Sequence, residues 1–193
     1  MQIPEHKLIP YIQKWVDLLP EEEEKILSAF EPVELEKKKL VLKPGEISKH
    51  IYFIVKGVLR SYFVDEKGVE HIYQIRLENG WIGDLESFFS QNPAKFYIET
   101  LEASLVLQIS NGRLEQLYAE VPKLERYFRI LFQKAYINAL QRLNSTMWTT
   151  AEERYQDMVK ENCDILQRVP QAYIASYLGI TPESLSRIRK KKS

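Results

Sequence analysis

Between Val33 and Ser110 the chain is a succession of short β-rich runs, each closed by a turn signal, and this pattern constrains the fold most. The runs are KKLVL (38–42), HIYFIVK (50–56), VLRSYFV (58–64), VEHIYQIRL (69–77), FYIETLEA (96–103) and SLVLQIS (104–110). Pro44-Gly45, Gly57, the tetrad DEKG (65–68) and Asn79-Gly80 separate them. Many short strands with regular turns predict an all-β sandwich or barrel. In VEHIYQIRL, alternation places Val69, His71, Tyr73, Ile75 and Leu77 on one face, with Glu70, Gln74 and Arg76 on the other. His71 then reads as a member of a β face, because it has no partner at ligand spacing.

Helical patterns flank the β zone. Ile9, Ile12, Trp15, Val16 and Leu19 recur at helical spacing. Pro20 followed by Glu21 to Glu24 predicts a second helix, with Pro at its first position and acids in its first turn. After Asn111 a short helix runs from about Gly112 to Ala119, and Pro122 opens a long helix reaching about Met147. Roughly 25 residues at 1.5 Å each span about 37 Å, more than one small domain needs. The long helix carries two stripes: Leu124, Phe128, Leu131, Ala135, Ala139, Leu143 and Met147, and beside them Ile130, Ile137 and Leu140. Two stripes imply two partners, the β domain and a second subunit; the alternative is a helix packed wholly within one chain.

The last 44 residues hold the sharpest motif. Thr150 and Glu153 have capping-box spacing. Gln171 to Tyr177 reads as a short helix, and Leu178-Gly179-Ile180 as a tight turn with Gly where a left-handed conformation is needed. Thr181 is an N-cap, Pro182 a first helical residue, and Glu183 and Ser184 complete the first turn. Leu185 and Ile188 face inward. A helix, a Gly turn and a capped second helix make a helix-turn-helix. Its outer face offers Glu183, Ser184, Arg187 and Arg189 to bases and phosphates, with Gln171, Thr181 and Lys190 beside them. Arg187 suits a bidentate contact to guanine, and Glu183 can accept from a cytosine amino group. Lys190 to Lys192 contact phosphate or fray in solvent. The alternative is an ordinary helical hairpin with a basic tail.

Composition narrows the function classes. The 193 residues are 45% apolar and 28% charged, which argues against disorder. One cysteine, Cys163, excludes an internal disulfide and a multi-cysteine metal site; it is an incidental residue or a redox switch. The histidines His6, His50 and His71 are scattered, and no nucleophile elbow or phosphate-cradling loop is present. The N-terminus lacks the pattern of a secretion signal, and no run of 18 apolar residues exists, so the expected compartment is the cytoplasm, with no membrane partner. Formal net charge is zero. Yet residues 171–193 hold five bases against one acid, +4, and the remaining residues carry −4. A basic tip on an acidic body suits contact with double-stranded DNA.

In this order, β-roll, long helix and C-terminal helix-turn-helix, the chain resembles the Crp/Fnr transcription regulators. The resemblance covers nearly the whole length. It rests on KPGEISKHIYFIVKGVLRSYF (43–63), NGWIGDLESFF (79–89) and YIASYLGITPESLSRIRK (173–190). It implies an α+β chain: an antiparallel, jelly-roll β-roll like those that bind cyclic nucleotides (1–110), a dimerisation segment (111–148) and a winged-helix-like reading unit (149–193). It implies a homodimer on a palindromic operator, with RNA polymerase as a further partner if the protein activates. The dimer helix would use Leu124, Phe128, Leu131, Ala135, Ala139 and Leu143.

The resemblance extends only to the first part of the nucleotide cassette. Family sensors follow a Gly-Glu-Leu turn, about ten residues later, with an Arg-Ser/Thr pair that neutralises the cyclic phosphate. Here Gly83-Asp84-Leu85 has a shorter acid, and Ala94-Lys95 stands where Arg-Ser belongs. Losing a bidentate, charge-assisted partner costs roughly 1.5–3 kcal/mol. Ala139 and Leu140 replace the expected adenine-contacting hydroxyls. Weak or no cyclic AMP binding is therefore expected; Gly83-Asp84 is a remnant of a pocket for another small-molecule effector, or only a structural turn. Neither an iron–sulfur cluster nor haem is expected, and no cofactor is assigned. A ligand that repacks the long helix would move two recognition helices that must stand about 34 Å apart. The competing classes are an enzyme or metal protein on the same roll, which lacks clustered ligands, and a β-roll that binds a small molecule or adapts a protein while its hairpin reads no DNA.

Overall fold

The computed structural model describes residues 7–161 and 164–190, with the backbone alone at 142–147 and 161. The chain opens with α1 (Leu8–Gln13) and α2 (Pro20–Ala29). Eight strands follow: β1 (Glu31–Leu35), β2 (Leu40–Leu42), β3 (His50–Lys56), β4 (Leu59–Val64), β5 (Glu70–Arg76), β6 (Trp81–Ile82), β7 (Tyr97–Thr100) and β8 (Ser104–Ser110). α3 (Leu85–Ser90) interrupts them after β6. Then come α4 (Asn111–Glu120), α5 (Lys123–Trp148), α6 (Ala151–Glu161), α7 (Ile165–Arg168), α8 (Gln171–Leu178) and α9 (Pro182–Lys190).

The strands form two four-stranded antiparallel sheets, ordered β1-β8-β3-β6 and β2-β7-β4-β5. Leu42, Ile54, Leu59, Ile82, Ile98 and Val106 fill the space between them. The outer face of the first sheet, with Ile51, Phe53, Leu107 and Ile109, is covered by α1, α2, α4 and the first turns of α5. The outer face of the second sheet, with Val58, Tyr62, Ile72 and Ile75, is covered by α6 to α9. β3 is buried along most of its length because both of its faces are packed, which is why its sequence shows no alternation.

Two expectations on the strands change. β1 and the two-residue β6 were not separated from their surroundings. The assigned faces of VEHIYQIRL shift as well, because Ser61 pairs with Gln74 and Tyr62 with Ile72, leaving Tyr73 as an extra residue. That bulge resets the alternation, so Ile72 and Ile75 share the buried face while His71 and Tyr73 do not. His71 lies on a β face, stacks on Phe63 and bonds through Nε2 to Asp65 at 2.8 Å.

α5 divides its apolar residues between two environments. Leu124 and Phe128 are fully buried against the chain's own first sheet, and Leu131 packs on the same cluster. Leu124 and Phe128 are thus used up within the chain rather than offered to a second subunit, which departs from the expected assignment, while Leu131 stays half-buried. Ala135 is half-buried and Ala139 exposed. The exposed large apolar residues among those described on α5 are Tyr136, Ile137 and Leu140, at 66%, 51% and 41%, and Trp148 at its end, at 80%. The side chains of Leu143 and Met147 lie outside the described residues, as do His6, Cys163, Lys191 and Lys192. Among the described residues no helix is long and apolar enough to cross a membrane, and no cluster of three or more His, Cys, Asp or Glu could hold a metal ion.

Candidate nucleic-acid interface

The C-terminal unit is built from local signals that the sequence carries. Thr150 and Glu153 form the capping box at the start of α6: the Thr150 N–H donates to Glu153 Oε2 at 2.7 Å, and the Glu153 N–H to Thr150 Oγ1 at 3.2 Å. α8 ends at Gly179, whose φ of 68° lies in the left-handed region. A side chain there would meet no neighbour but would pay the backbone penalty. Thr181 caps α9 by accepting the Ser184 N–H at 3.2 Å. Leu185 is fully buried and Ile188 half-buried against α8, as their spacing predicts.

That packing decides the outer face of α9. Glu183, Arg187 and Lys190 are exposed; Ser184 and Arg189 are half-buried. Arg187 Nη2 donates to Ser184 Oγ at 3.1 Å, which aligns the guanidinium along the helix surface. The Glu183 carboxyl is held below its ordinary pKa by its own backbone N–H and the Thr181 hydroxyl, so it stays an acceptor at neutral pH. At the far end, a cleft of about 260 Å³ is lined by Gln171, Ser186, Arg189 and Lys190. It adjoins the start of α8, which has no side-chain cap, and uncapped N–H groups with two cations beside them suit a phosphate. Every residue expected at the interface is thus on one unit: Thr181, Glu183, Ser184 and Arg187 near the α9 start, and Gln171, Arg189 and Lys190 around the cleft. Among the described residues of this unit all regular elements are helices.

The cassette after β6 uses its polar groups within the chain. Gly83 lies so close to β3 that a Cβ would stand 2.9 Å from Ile51 Cγ2, so only Gly fits. Asp84 is buried and caps α3: Oδ1 accepts the Ser87 N–H at 3.0 Å, and Oδ2 the Lys95 N–H at 3.4 Å. Leu85 packs on the core of the first sheet. Ala94 is buried between the sheets, and its N–H and carbonyl are tied to Glu46 and Gly45. Lys95 turns outward, pairing with Glu86 at 2.9 Å. These residues do not fit a cyclic nucleotide: Asp84, the acid placed for a ribose hydroxyl, already accepts two amides, and Lys95, the cation of this segment, is paired with Glu86 at the surface. The arrangement is that of a structural turn.

A further set of contacts, absent from the sequence reading, joins the C-terminal unit to the roll. Arg168, at the end of α7, donates to both oxygens of Glu78 at 2.8 and 2.7 Å and to Glu102 at 2.5 Å. The Arg168 guanidinium pulls Glu78 down to a pKa of about 2, and Glu78 and Glu102 raise that of Arg168. Ser176 on α8 accepts the Ile72 N–H at 3.0 Å and donates to the Glu70 carbonyl at 3.2 Å. Arg60 on β4 lies between the rings of Tyr62 and Tyr173, 3.9 and 4.0 Å from their centroids, and pairs with Glu70 and Glu99. Burial opposes the Arg60 charge, but those carboxylates outweigh it and raise its pKa. No local pattern marks these residues; they meet across up to 106 positions of sequence.

Comparison with known proteins places this geometry among relatives. Residues 32–121 match the cyclic nucleotide-binding domain family. The chain is 24% identical over 166 residues to the anaerobic regulatory protein of Aggregatibacter actinomycetemcomitans, covering 80% of this chain and 63% of that protein. It is 25% identical over 165 residues to the fumarate and nitrate reduction regulatory protein of Shigella dysenteriae, covering 80% and 65%. The chain therefore spans less than two thirds of the length of these curated relatives. Among solved structures it resembles FixK2 from Bradyrhizobium japonicum (TM-score 0.71, 18% identity, 84% of this chain and 83% of that one). It also resembles the catabolite activator protein of Thermus thermophilus (TM-score 0.61, 16% identity, 94% and 85%).

Proposed function

We propose that the chain is a DNA-binding transcription regulator of the Crp/Fnr type, acting as a homodimer on a palindromic operator. The observation that carries this reading is α9: capped by Thr181, packed inward through Leu185, and presenting Glu183 and Arg187 outward from the basic end of a neutral chain. An exposed helix of this kind enters the major groove with its N-terminal residues at the base edges. Arg187 reads guanine through two parallel hydrogen bonds, once it has left Ser184, and Glu183 accepts from cytosine. The cleft at Gln171, Arg189 and Lys190 takes a backbone phosphate and sets the register. The exposed Tyr136, Ile137 and Leu140 of α5 meet their counterparts in the second subunit. RNA polymerase is the further partner if the output is activation, and the protein works in the cytoplasm without a catalytic role.

Selection from a library of randomised palindromes tests this. A consensus enriched in both half-sites is expected. A small-molecule binder or protein adaptor with a non-reading hairpin gives no preference above background.

For the roll, the reading is a sensor fold that has lost cyclic AMP. Lys95 is spent in a surface ion pair, so the cyclic phosphate finds no cation at this turn, and Asp84, already accepting two amides, is not free to hold a ribose hydroxyl. Calorimetry with cyclic AMP is expected to show no binding at micromolar concentration; micromolar affinity overturns this reading. An effector of other chemistry, if one acts here, regulates only through differential affinity for two arrangements of the recognition helices. No cofactor, haem or iron–sulfur cluster enters the proposal.

A further inference from the structure

We propose that Arg168, together with Tyr173 and Ser176, is the positioning set that fixes the recognition helix on the roll, so that the chain itself dictates the spacing between operator half-sites. This rests on the DNA-reading proposal above. None of the three residues lies on the outer face of α9. Their effect passes through α8, which packs on β5 on one side and on α9 on the other. Whatever orients α8 therefore orients α9.

The roll offers α8 a prepared seat. β5 is the edge strand of its sheet, so one of its sides has no neighbouring strand. One hydroxyl, that of Ser176, takes the Ile72 N–H and gives to the Glu70 carbonyl. A slide of α8 by one turn, about 5.4 Å, would break both bonds. Glu78 is fixed before Arg168 arrives, because its Oε1 also accepts the Gly57 N–H at 2.8 Å. Arg168 then closes a fork on Glu78 and reaches Glu102, tying α7 to two loops of the roll. Tyr173 completes the set by stacking on Arg60, whose own carboxylates hold it on β4. Contacts at three separate places remove the pivoting that a single contact would leave. Arg154 extends the lock toward the long helix: it donates to the Leu178 carbonyl at the end of α8 and to the Thr149 carbonyl before α6.

A two-fold dimer reads half-sites at the distance set by where each subunit holds its recognition helix. A locked α8 therefore selects one spacer length, with no effector needed to choose it. A reading unit freed from the roll would accept several.

The experiment is a selection in which half-sites are randomised and spacer length varies, run with the full chain. The wild type is expected to favour one spacer by about tenfold or more over its neighbours. Arg168→Glu places a third acid among Glu78 and Glu102 and is expected to flatten that preference while leaving the half-site consensus unchanged. The swap Arg168→Glu with Glu78→Arg restores one cation between two acids and is expected to restore the single spacer. Hydrogen exchange at the Ile72 amide reads the same lock without DNA: faster in Arg168→Glu, recovered in the swap. A folded Arg168→Glu protein with wild-type spacing overturns the proposal. If Arg168→Glu does not fold, Glu78→Gln with Glu102→Gln removes the ion pairs without repulsion, and wild-type spacing there overturns it equally. A wild-type protein that enriches no sequence overturns the DNA-reading proposal itself and this one with it.

Discussion

Arg187 shows how a single residue is made ready for recognition. The Thr181 cap and Pro182 set the start of α9, burial of Leu185 sets its rotation, and Arg187 is left outward beside Ser184. Each of these steps is local, so the residue was legible in the sequence. Arg187→Ala is expected to weaken binding to the selected operator by about 1–3 kcal/mol and to relax specificity at one base position. Binding to random DNA is expected to change little; gel shifts on both duplexes measure this, and equal losses would make Arg187 a phosphate contact only. Arg168 is the opposite case. Its partners stand 90 and 66 positions away, and nothing in the run QRVPQ distinguishes it from an exposed arginine. Asp84 lies between the two. Its position in a Gly-Asp-Leu turn was visible and its cap of α3 is local, but its second contact, the Lys95 N–H, comes from a later segment.

At the level of elements, turn residues did most to reveal the fold. β3, β4 and β5 lie almost where Pro44-Gly45, Gly57, DEKG and Asn79-Gly80 delimit them. What escaped was anything requiring a partner strand: β6, with two residues, exists through its pairing with β3, and the bulge at Tyr73 exists only against β4. The long helix was legible in length and in having two stripes, but not in which stripe faced where. Leu124 and Phe128 are taken by the roll because Trp81, Tyr118 and Tyr127 gather around that end of the helix. The exposed stripe further along carries the dimer prediction. Ile137→Glu with Leu140→Glu sets a cluster of like charges on the two-fold axis and is expected to weaken self-association at least tenfold, measured by sedimentation. The fold is expected to survive, since both side chains are exposed in the single chain. An unchanged association constant would place the subunit contact elsewhere.

At the scale of the whole molecule, two units share one apolar interior. Val58, Tyr62, Ile72 and Ile75 of the roll belong to the same cluster as Tyr155, Met158, Ile174, Leu178 and Leu185 of the reading unit. Acid should loosen this junction in a defined range. Glu78, depressed to about 2 by Arg168, contributes stability that is complete above the ordinary carboxylate value of 4.5 and is lost as pH falls from there toward 2. Thermal melts between pH 7 and pH 2.5 are expected to show a shallower acid decline for Glu78→Gln than for the wild type; parallel declines would show that the pair adds nothing. The shared interior also bears on how such a chain diversifies. A reading unit that completes its core with four side chains of its own sensor cannot be traded freely between chains. Any new sensor would have to bring an equivalent apolar quartet, an open strand edge and two acids in register. The two halves are thus bound to change together, and on the proposed DNA-reading role the operator preference is inherited with the roll.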